Sequence, residues 1–484
     1  MARRKYGLLA AVAVCFAAPP AAADTLQEAL LEAYRNNPTL AAARANLRAT
    51  DENVPIERSA ALPTVSGTGG YNEFVADTSG APAATRQATT GITLGVPIYS
   101  GGATRNAIRA AETRVLAGRA DLRGTESSLF SQVVAAYMTV IANEALVGLA
   151  SNNVDVLTIN LEATSDRFQI GDLTRTDVAQ SEARLALARG DLRSAEANLV
   201  TAREDYIALV GEPPTDLQPP PPLPNMPDSP EAAAELALAN NPDLIAAAER
   251  AEAAGIDIRV AGATRLPQIT VTTGADYGTF LGSLPGSLAA VSPNSSGGLS
   301  VGARATIPIF QGGLPAALER QAQARASATI EEVVAVERDV IAQVRASYSS
   351  WRAALAIIAS TQAAVEAAEL SLEGVRAENT VGNRTILDIL DAQRELLSTE
   401  VQLITARRNA YVAGFSLLAA MGQAEARDLG LASEEPLYDP AANYDRVRGI
   451  IWDWSSDPDP VARSTRTIDT PAQDGDIVGP PEIE

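Results

Sequence analysis

The chain has 484 residues, 46% of them apolar but only 4% aromatic, and its 59 acids against 38 bases leave a formal charge of −21. With no histidine and one cysteine, it cannot build Ser-His-Asp or Cys-His catalysis, an HExxH zinc site or a facial-triad iron site. The negative balance excludes a nucleic-acid partner, which requires a basic footprint, and alanine-rich, aromatic-poor composition predicts long helices rather than a globular enzyme core.

At the N-terminus, Arg3, Arg4 and Lys5 precede the apolar run Tyr6 to Ala18, and Ala21-Ala22-Ala23 forms an A-x-A site before Asp24. Residues 1–23 therefore read as a secretory signal peptide, and its loss takes the charge to about −24. Cys15 falls inside it, so the exported chain forms no disulfide. The competing reading of Cys15 as a lipoprotein acylation site places branched Val14 where a small residue is wanted. Beyond this segment the longest apolar stretches, such as Val133 to Ala142, run about 10 residues, half of what a membrane-spanning helix needs. Such a chain is expected to be periplasmic, secreted or an outer-membrane β-barrel.

The exported part is a duplication. Asn36-Asn37-Pro38 recurs as Asn240-Asn241-Pro242, and Leu62-Pro63 as Leu266-Pro267, at an offset of 204. Val96-Pro97-Ile98-Tyr99-Ser100-Gly101-Gly102 recurs as Ile307-Pro308-Ile309-Phe310-Gln311-Gly312-Gly313, at an offset of 211. Tyr137/Tyr348, Gly171/Gly382, Asp177/Asp388 and Gly211/Gly422 keep the second offset. The extra residues fall between Pro267 and Pro308, which predicts a surface loop there. The repeats span 24–211 and 231–422.

In the first repeat a helix is predicted from Leu26 to about Ala61, ended by Leu62-Pro63. A β-rich pair follows, Thr64 to Val75 and Thr85 to Pro97, around a polar loop from Asp77 to Pro82. After Gly101-Gly102, helix is expected from about Ala103 to Phe168, broken at Gly171, and again from about Thr174 to Val210. No proline interrupts it. Leu185, Leu192 and Leu199 repeat at seven with Ala188 and Ala195 between them, as in a coiled-coil seam. The long helix spans roughly 100 Å, and the two shorter ones stacked end to end match it, so each repeat is a two-layer rod with strands at one end and a turn at the other. The proline-rich stretch 212–230 reads as a linker where the short helices meet. Residues 423–484, acidic and irregular, are expected to continue at that level and to become disordered from about Ser455. Four strands per chain cannot close a barrel, since about eight is the lower limit.

The duplicated strand–strand–long-helix plan, the Pro-Ile-aromatic-x-Gly-Gly junctions and the run from Val381 to Asp391 (VGNRTILDILD) resemble the TolC family of outer-membrane efflux and type I secretion channels. The resemblance covers about Thr25 to Gly422. It implies a mainly α fold with a β-barrel part: antiparallel coiled-coil helices in an α-barrel, and four strands per chain in a 12-stranded barrel shared by a homotrimer. It implies an outer-membrane location with a periplasmic tunnel, a periplasmic adaptor and an inner-membrane pump or ABC transporter as partners, and no cofactor, metal or catalytic residue. The competing function is a periplasmic or surface coiled-coil scaffold without a pore. An enzyme is weaker still, because no convergent site can be assembled and no Walker motif occurs.

Asp388 and Asp391, spaced i, i+3, share one helix face. A solvated acidic face is the plain reading; by resemblance they match the family's constriction rings, where three copies of each form an electrostatic filter. Neither aspartate is expected to support the helical packing. Arg384 and Asp177 are plainly exposed helix-end charges. The resemblance implies that Arg384 binds Thr176 and Asp177 of the neighbouring chain and holds the tip shut, with Asn379 replacing the family's usual tyrosine before Val-Gly. Gly171 and Gly382 suit left-handed turns at helix C-termini. The resemblance adds that the turns carrying Gly171-Asp172 and Val381-Gly382-Asn383 meet an adaptor. Pro97, Tyr99, Gly101, Gly102 and Pro308, Phe310, Gly312, Gly313 mark barrel–helix junctions, where Tyr99 and Phe310 read as core residues or as an aromatic girdle.

Overall fold

The computed structural model describes residues 24–75, 84–431 and 436–473. The signal-peptide segment with Cys15, the loop from Asp77 to Pro82 and the last 11 residues lie outside the described residues. The first repeat comprises α1 (Leu26–Asn36), α2 (Pro38–Asp51), α3 (Asn53–Ser59), β1 (Thr64–Glu73), β2 (Arg86–Tyr99), α4 (Ala103–Gln169) and α5 (Arg175–Val210). The second comprises α6 (Pro230–Asn240), α7 (Pro242–Gly262), β3 (Gln268–Thr279), α8 (Gly286–Ala289), β4 (Ser295–Thr306), α9 (Leu314–Thr380) and α10 (Ile386–Ala420). A short α11 (Ala442–Val447) follows in the tail.

α4 and α9 each have 67 residues, so each extends about 100 Å. Against α4 lie α5 on one half and α1, α2 and α3 on the other; α9 is flanked likewise by α10 and by α6 and α7. The repeats meet where α4 packs on α7 and α10. α4 and α9 are long and apolar enough to cross a membrane, contrary to the expectation that no such stretch exists. The reason is that alanines extend the apolar windows beyond the short runs of larger residues. Val133, Val134 and Val140 are nevertheless fully buried in the core midway along the rod.

The expected single helix from Leu26 to Ala61 is three helices. Pro38 has no N–H to continue α1, and it serves instead as the first residue of α2. Asn37 makes the break useful. Its Oδ1 accepts from the Thr39 and Leu40 amides, and its Nδ2 donates to the Leu209 carbonyl at 2.9 Å. Asn241 does the same one repeat later, capping α7 and donating to the Ala420 carbonyl at 3.0 Å. Each asparagine thus stitches the start of one short helix to the end of the other, and Gly211 and Gly422 close those ends at φ 97° and 72°.

The equator is bound by a second repeat-related pair. The Tyr137 hydroxyl donates to the Asp24 carbonyl at 3.0 Å and the Gln218 carbonyl at 2.6 Å, and the Tyr348 hydroxyl donates to the Asp228 carbonyl at 2.9 Å. These hydroxyls hold the chain entering α1 and the proline-rich linker against the long helices. Phe130, Tyr137, Tyr206 and Phe415 fill the core behind them, at most 2% exposed, and each such side chain contributes roughly 1.5–3 kcal/mol by burial. The tail beyond Ser455 is irregular, yet Asp457 pairs with Arg446 at 2.8 Å, Thr465 lies against Gly211, and the Gln473 amide donates to Glu204 at 3.0 Å.

Candidate functional site

The strands form one antiparallel sheet in the order β1-β2-β3-β4. Register places Val65 beside Leu94, Leu94 beside Thr273 and Thr273 beside Val301. Two residues along, Ile92, Ala275 and Leu299 are aligned. Because side chains alternate across a sheet, this face also carries Tyr71, Val96, Val271, Tyr277 and Ala303. The opposite face carries Thr64, Ser66, Thr68, Thr93, Thr270, Thr272, Asp276, Ser300 and Arg304. Val65, Ile92, Leu299 and Val301 are all more than 60% exposed. One apolar face open to the surroundings and one polar face with charges is the dyad pattern of a membrane barrel with an aqueous lumen.

β1 and β4 are edges with no partner strand among the described residues. Aromatic residues stand at both ends of the apolar face: Tyr71, level with Ala88 on β2, and Tyr99 at the end of β2. The 11 residue steps from Ala88 to Tyr99 span about 36 Å along the strand, or about 28 Å along an axis at a ~40° tilt, close to the thickness of a hydrocarbon core. Pro97 sits in β2 beside a register shift, whereas Pro308 and Phe310 lie beyond the end of β4. Phe310 is 89% exposed. Gly102 and Gly313 precede the long helices at φ 82° and 86°. Gly101 permits a close approach: a Cβ there would stand 2.7 Å from Leu266 Cβ, while Gly312 and Gly313 face open space.

At the far end of the rod, Gly171 and Gly382 adopt φ 85° and 80°, giving the left-handed turns expected. The turns are internally braced: Arg167 Nε donates to Asp172 at 2.8 Å, and Asn379 Nδ2 donates to the Arg384 carbonyl at 2.7 Å. α5 and α10 each begin with a capping box. Thr174 and Thr385 cap them, and the carboxylates of Asp177 and Asp388 accept from the cap amide and hydroxyl at 2.7–2.8 Å. Bonds from Thr174 hold Asp177 below the usual carboxylate range, and bonds from Thr385 do the same for Asp388. Asp388 therefore supports its helix, contrary to the expectation that neither aspartate does. Asp391, one turn on, pairs with Arg184 of α5 at 2.8 Å, above a small cluster of Leu157, Leu185, Ala188 and Leu390. Arg384 binds Glu378 at 2.8 Å and lies 3.9 Å from Asp388. Within one chain it touches neither Thr176, exposed on α5, nor Asp177, half-buried beside it.

A family model for outer membrane efflux proteins matches residues 29–212 and 233–423. The chain belongs to that family. Its relatives include outer membrane efflux protein BepC of Brucella suis, 35% identical over 88% of this chain and 91% of that one. Another is outer membrane protein TolC of Vibrio cholerae, 26% identical over 84% of this chain and 92% of that one. A crystal structure of CusC superimposes with a TM-score of 0.72 at 20% identity, covering 82% of this chain and 92% of that one. The sheet is thus the transmembrane part of an outer-membrane efflux channel, and the helical rod is its periplasmic tunnel wall. The scaffold alternative falls.

Reading the sequence missed Thr174, Thr385, Glu378 and Arg184, which position the tip charges. The T-x-x-D spacing of both capping boxes was a usable signal. The Arg184 and Glu378 pairings had none, since they depend on which helices become neighbours. The alternating apolar face was also missed, because glycines and threonines dilute it on β1 and β2.

Proposed function

We propose that three copies join β1 to β4 in a closed 12-stranded barrel and that the helices continue it as a tunnel closed at the tip. The chain then serves as a passive conduit, without enzymatic activity, that a periplasmic adaptor and an inner-membrane pump or ABC transporter recruit and open. The observation that carries the proposal is the amphipathic four-stranded sheet with two free edges. Edge strands demand partners, the curvature of four strands is far too small for closure, and an identical copy supplies the complementary edge under cyclic symmetry. α9, packed against α10, α6 and α7 but with few buried residues along its length, meets the same need below the membrane.

In this assembly Asp388 and Asp391 surround the axis as the constriction. Arg384 exchanges its contact with Glu378 for Thr176 and Asp177 of the adjacent copy when the tip shuts. The turns with Gly171, Asp172, Val381, Gly382 and Asn383 receive the adaptor, and Tyr99 and Phe310 form the girdle at the periplasmic rim. Native mass spectrometry from detergent, combined with bilayer recording, tests the reading. A three-chain species with discrete conductance is expected; a dimer, or a monomer with no conductance, overturns it.

A further inference from the structure

We propose that the tail segment 449–454, Gly449-Ile450-Ile451-Trp452-Asp453-Trp454, is a lipid anchor that inserts into the headgroup layer of the periplasmic leaflet. The tail begins at the equator, where the Tyr438 amide donates to the Tyr34 hydroxyl at 3.0 Å. It then climbs along α2 and α3: Asn443 donates to Asp51 at 2.8 Å, Tyr444 packs near Val54, Ala111 and Val115, and the Arg448 carbonyl accepts from Arg58. After Trp454 it descends, with Asp457 paired to Arg446, Thr465 at Gly211 and Gln473 at Glu204. Residues 449–454 are therefore the apex of a chain reversal, tightened by the Ser455 amide donating to the Trp452 carbonyl at 3.0 Å.

The height of that apex decides what it meets. Arg58, whose guanidinium grips the Arg448 carbonyl, stands two residues before Ala60, and Ala60 and Ala61 line one cleft with Pro97 and Tyr99 at the barrel's rim. Two residues of helix rise about 3 Å, so the chain enters the apex within a few ångströms, plus the reach of one arginine side chain, of the level of Tyr99. Headgroup layers occupy about 5–7 Å on each side of the hydrocarbon core, so the apex reaches them. Its composition fits that place. Two of the chain's three tryptophans are here, and Ile451, Trp452 and Trp454 are 69%, 70% and 85% exposed. Tryptophan favours the membrane interface, where its ring is half in apolar surroundings and its N–H finds water or phosphate. Anchoring so close to the rim would hold the tunnel's outer flank against the membrane at three points of a trimer. The inference rests on the barrel's position in the outer membrane and not on the number of copies.

The test uses the full mature chain with Trp351→Phe, which leaves Trp452 and Trp454 as the only tryptophans to be excited selectively, reconstituted in phosphatidylethanolamine–phosphatidylglycerol vesicles. Phospholipids brominated near the top of the acyl chain are expected to quench about half of the emission or more, with little quenching by aqueous acrylamide. A nitroxide on Ser455→Cys reports independently, since the mature chain has no other cysteine, and should show lipid-phase oxygen access. Acrylamide quenching without lipid quenching would show an apex standing in water. Protection from both quenchers would show it covered by protein, such as a second copy. Either result overturns the anchor. A chain with no other tryptophan carrying Tyr99→Trp is the control: if it is quenched by lipid while the tail is not, the anchor alone fails, and if neither is quenched, the barrel's placement fails with it.

Discussion

At the scale of single residues, the titratable groups that matter lie at the equator and at the tip, and they respond to opposite causes. The Glu126 carboxylate accepts from the Ala426 amide at 2.6 Å, and burial, with Glu425 nearby, pushes its pKa up to about 7. A folded-state pKa above the unfolded 4.5 means that the folded chain holds the proton between those values. Its stabilising effect is complete below pH ~4.5 and is lost as pH rises toward 7, on the order of 3 kcal/mol in all. Glu126→Gln keeps the acceptor for Ala426 and removes the titration. Its melting temperature should equal wild type near pH 4.5 and exceed it at pH 8; parallel curves would contradict the assignment. Arg384 offers a second test. If it exchanges Glu378 for Asp177 of a neighbour, Arg384→Ser should raise single-channel conductance several-fold. Glu378→Gln, which frees the arginine for the lock, should lower it. Equal conductance in all three proteins would leave Arg384 as a turn brace only.

Among the elements, the repeat was legible because identical physical needs recur at a fixed offset. The proline-free helical stretch from Ala103 to Val210, two Gly-Gly junctions and two turn glycines were all readable in advance, as was the deficit of strands. The break at Asn37-Pro38 was visible as a repeated motif, yet its use was not, since capping α2 while gripping Leu209 requires knowing that α5 ends there. For the site, sequence located Asp388, Asp391, Arg384 and Asp177 at the tip but not their partners, which belong to other helices or to the capping geometry. The same distinction separates two glycines of the second repeat. A Cβ on Gly422 would stand 2.5 Å from the Asn240 carbonyl oxygen and 2.9 Å from the Asn241 amide, whereas a Cβ on Gly382 meets nothing. Gly382→Ala should cost only the left-handed penalty, about 1–2 kcal/mol. Gly422→Ala must also push apart the backbones that meet there and should cost roughly 2–4 kcal/mol. Thermal melting of the two variants should rank them in that order, and a larger loss from Gly382→Ala would contradict the packing at the equatorial joint.

For the whole molecule, the proposed threefold symmetry would turn weak surface charges into a filter. In one chain Asp388 caps α10 and Asp391 pairs with Arg184, but in the proposed trimer three copies of each around a narrow axis would place six negative charges where little water screens them. A trivalent cation applied from the periplasmic side should then block the open pore. Removing the charges must not unwind the helix that carries them, so alanine is the wrong replacement at Asp388, whose carboxylate completes the α10 capping box. The substitution Asp388→Asn retains an oxygen for the Thr385 amide; paired with Asp391→Asn it should abolish block while trimers persist. The single variant Asp391→Asn leaves the Asp388 ring alone. Bonds from Thr385 hold that carboxylate low, so its charge and its capping contribution are complete above the ordinary aspartate value near 4 and are lost as pH falls through the lowered one. Residual block in Asp391→Asn should therefore weaken as pH falls and the Asp388 ring protonates, tracked by current in bilayers on stepwise acidification. Block that survives in the double variant would move the filter to another ring, leaving Asp388 as a helix cap and Asp391 as the partner of Arg184.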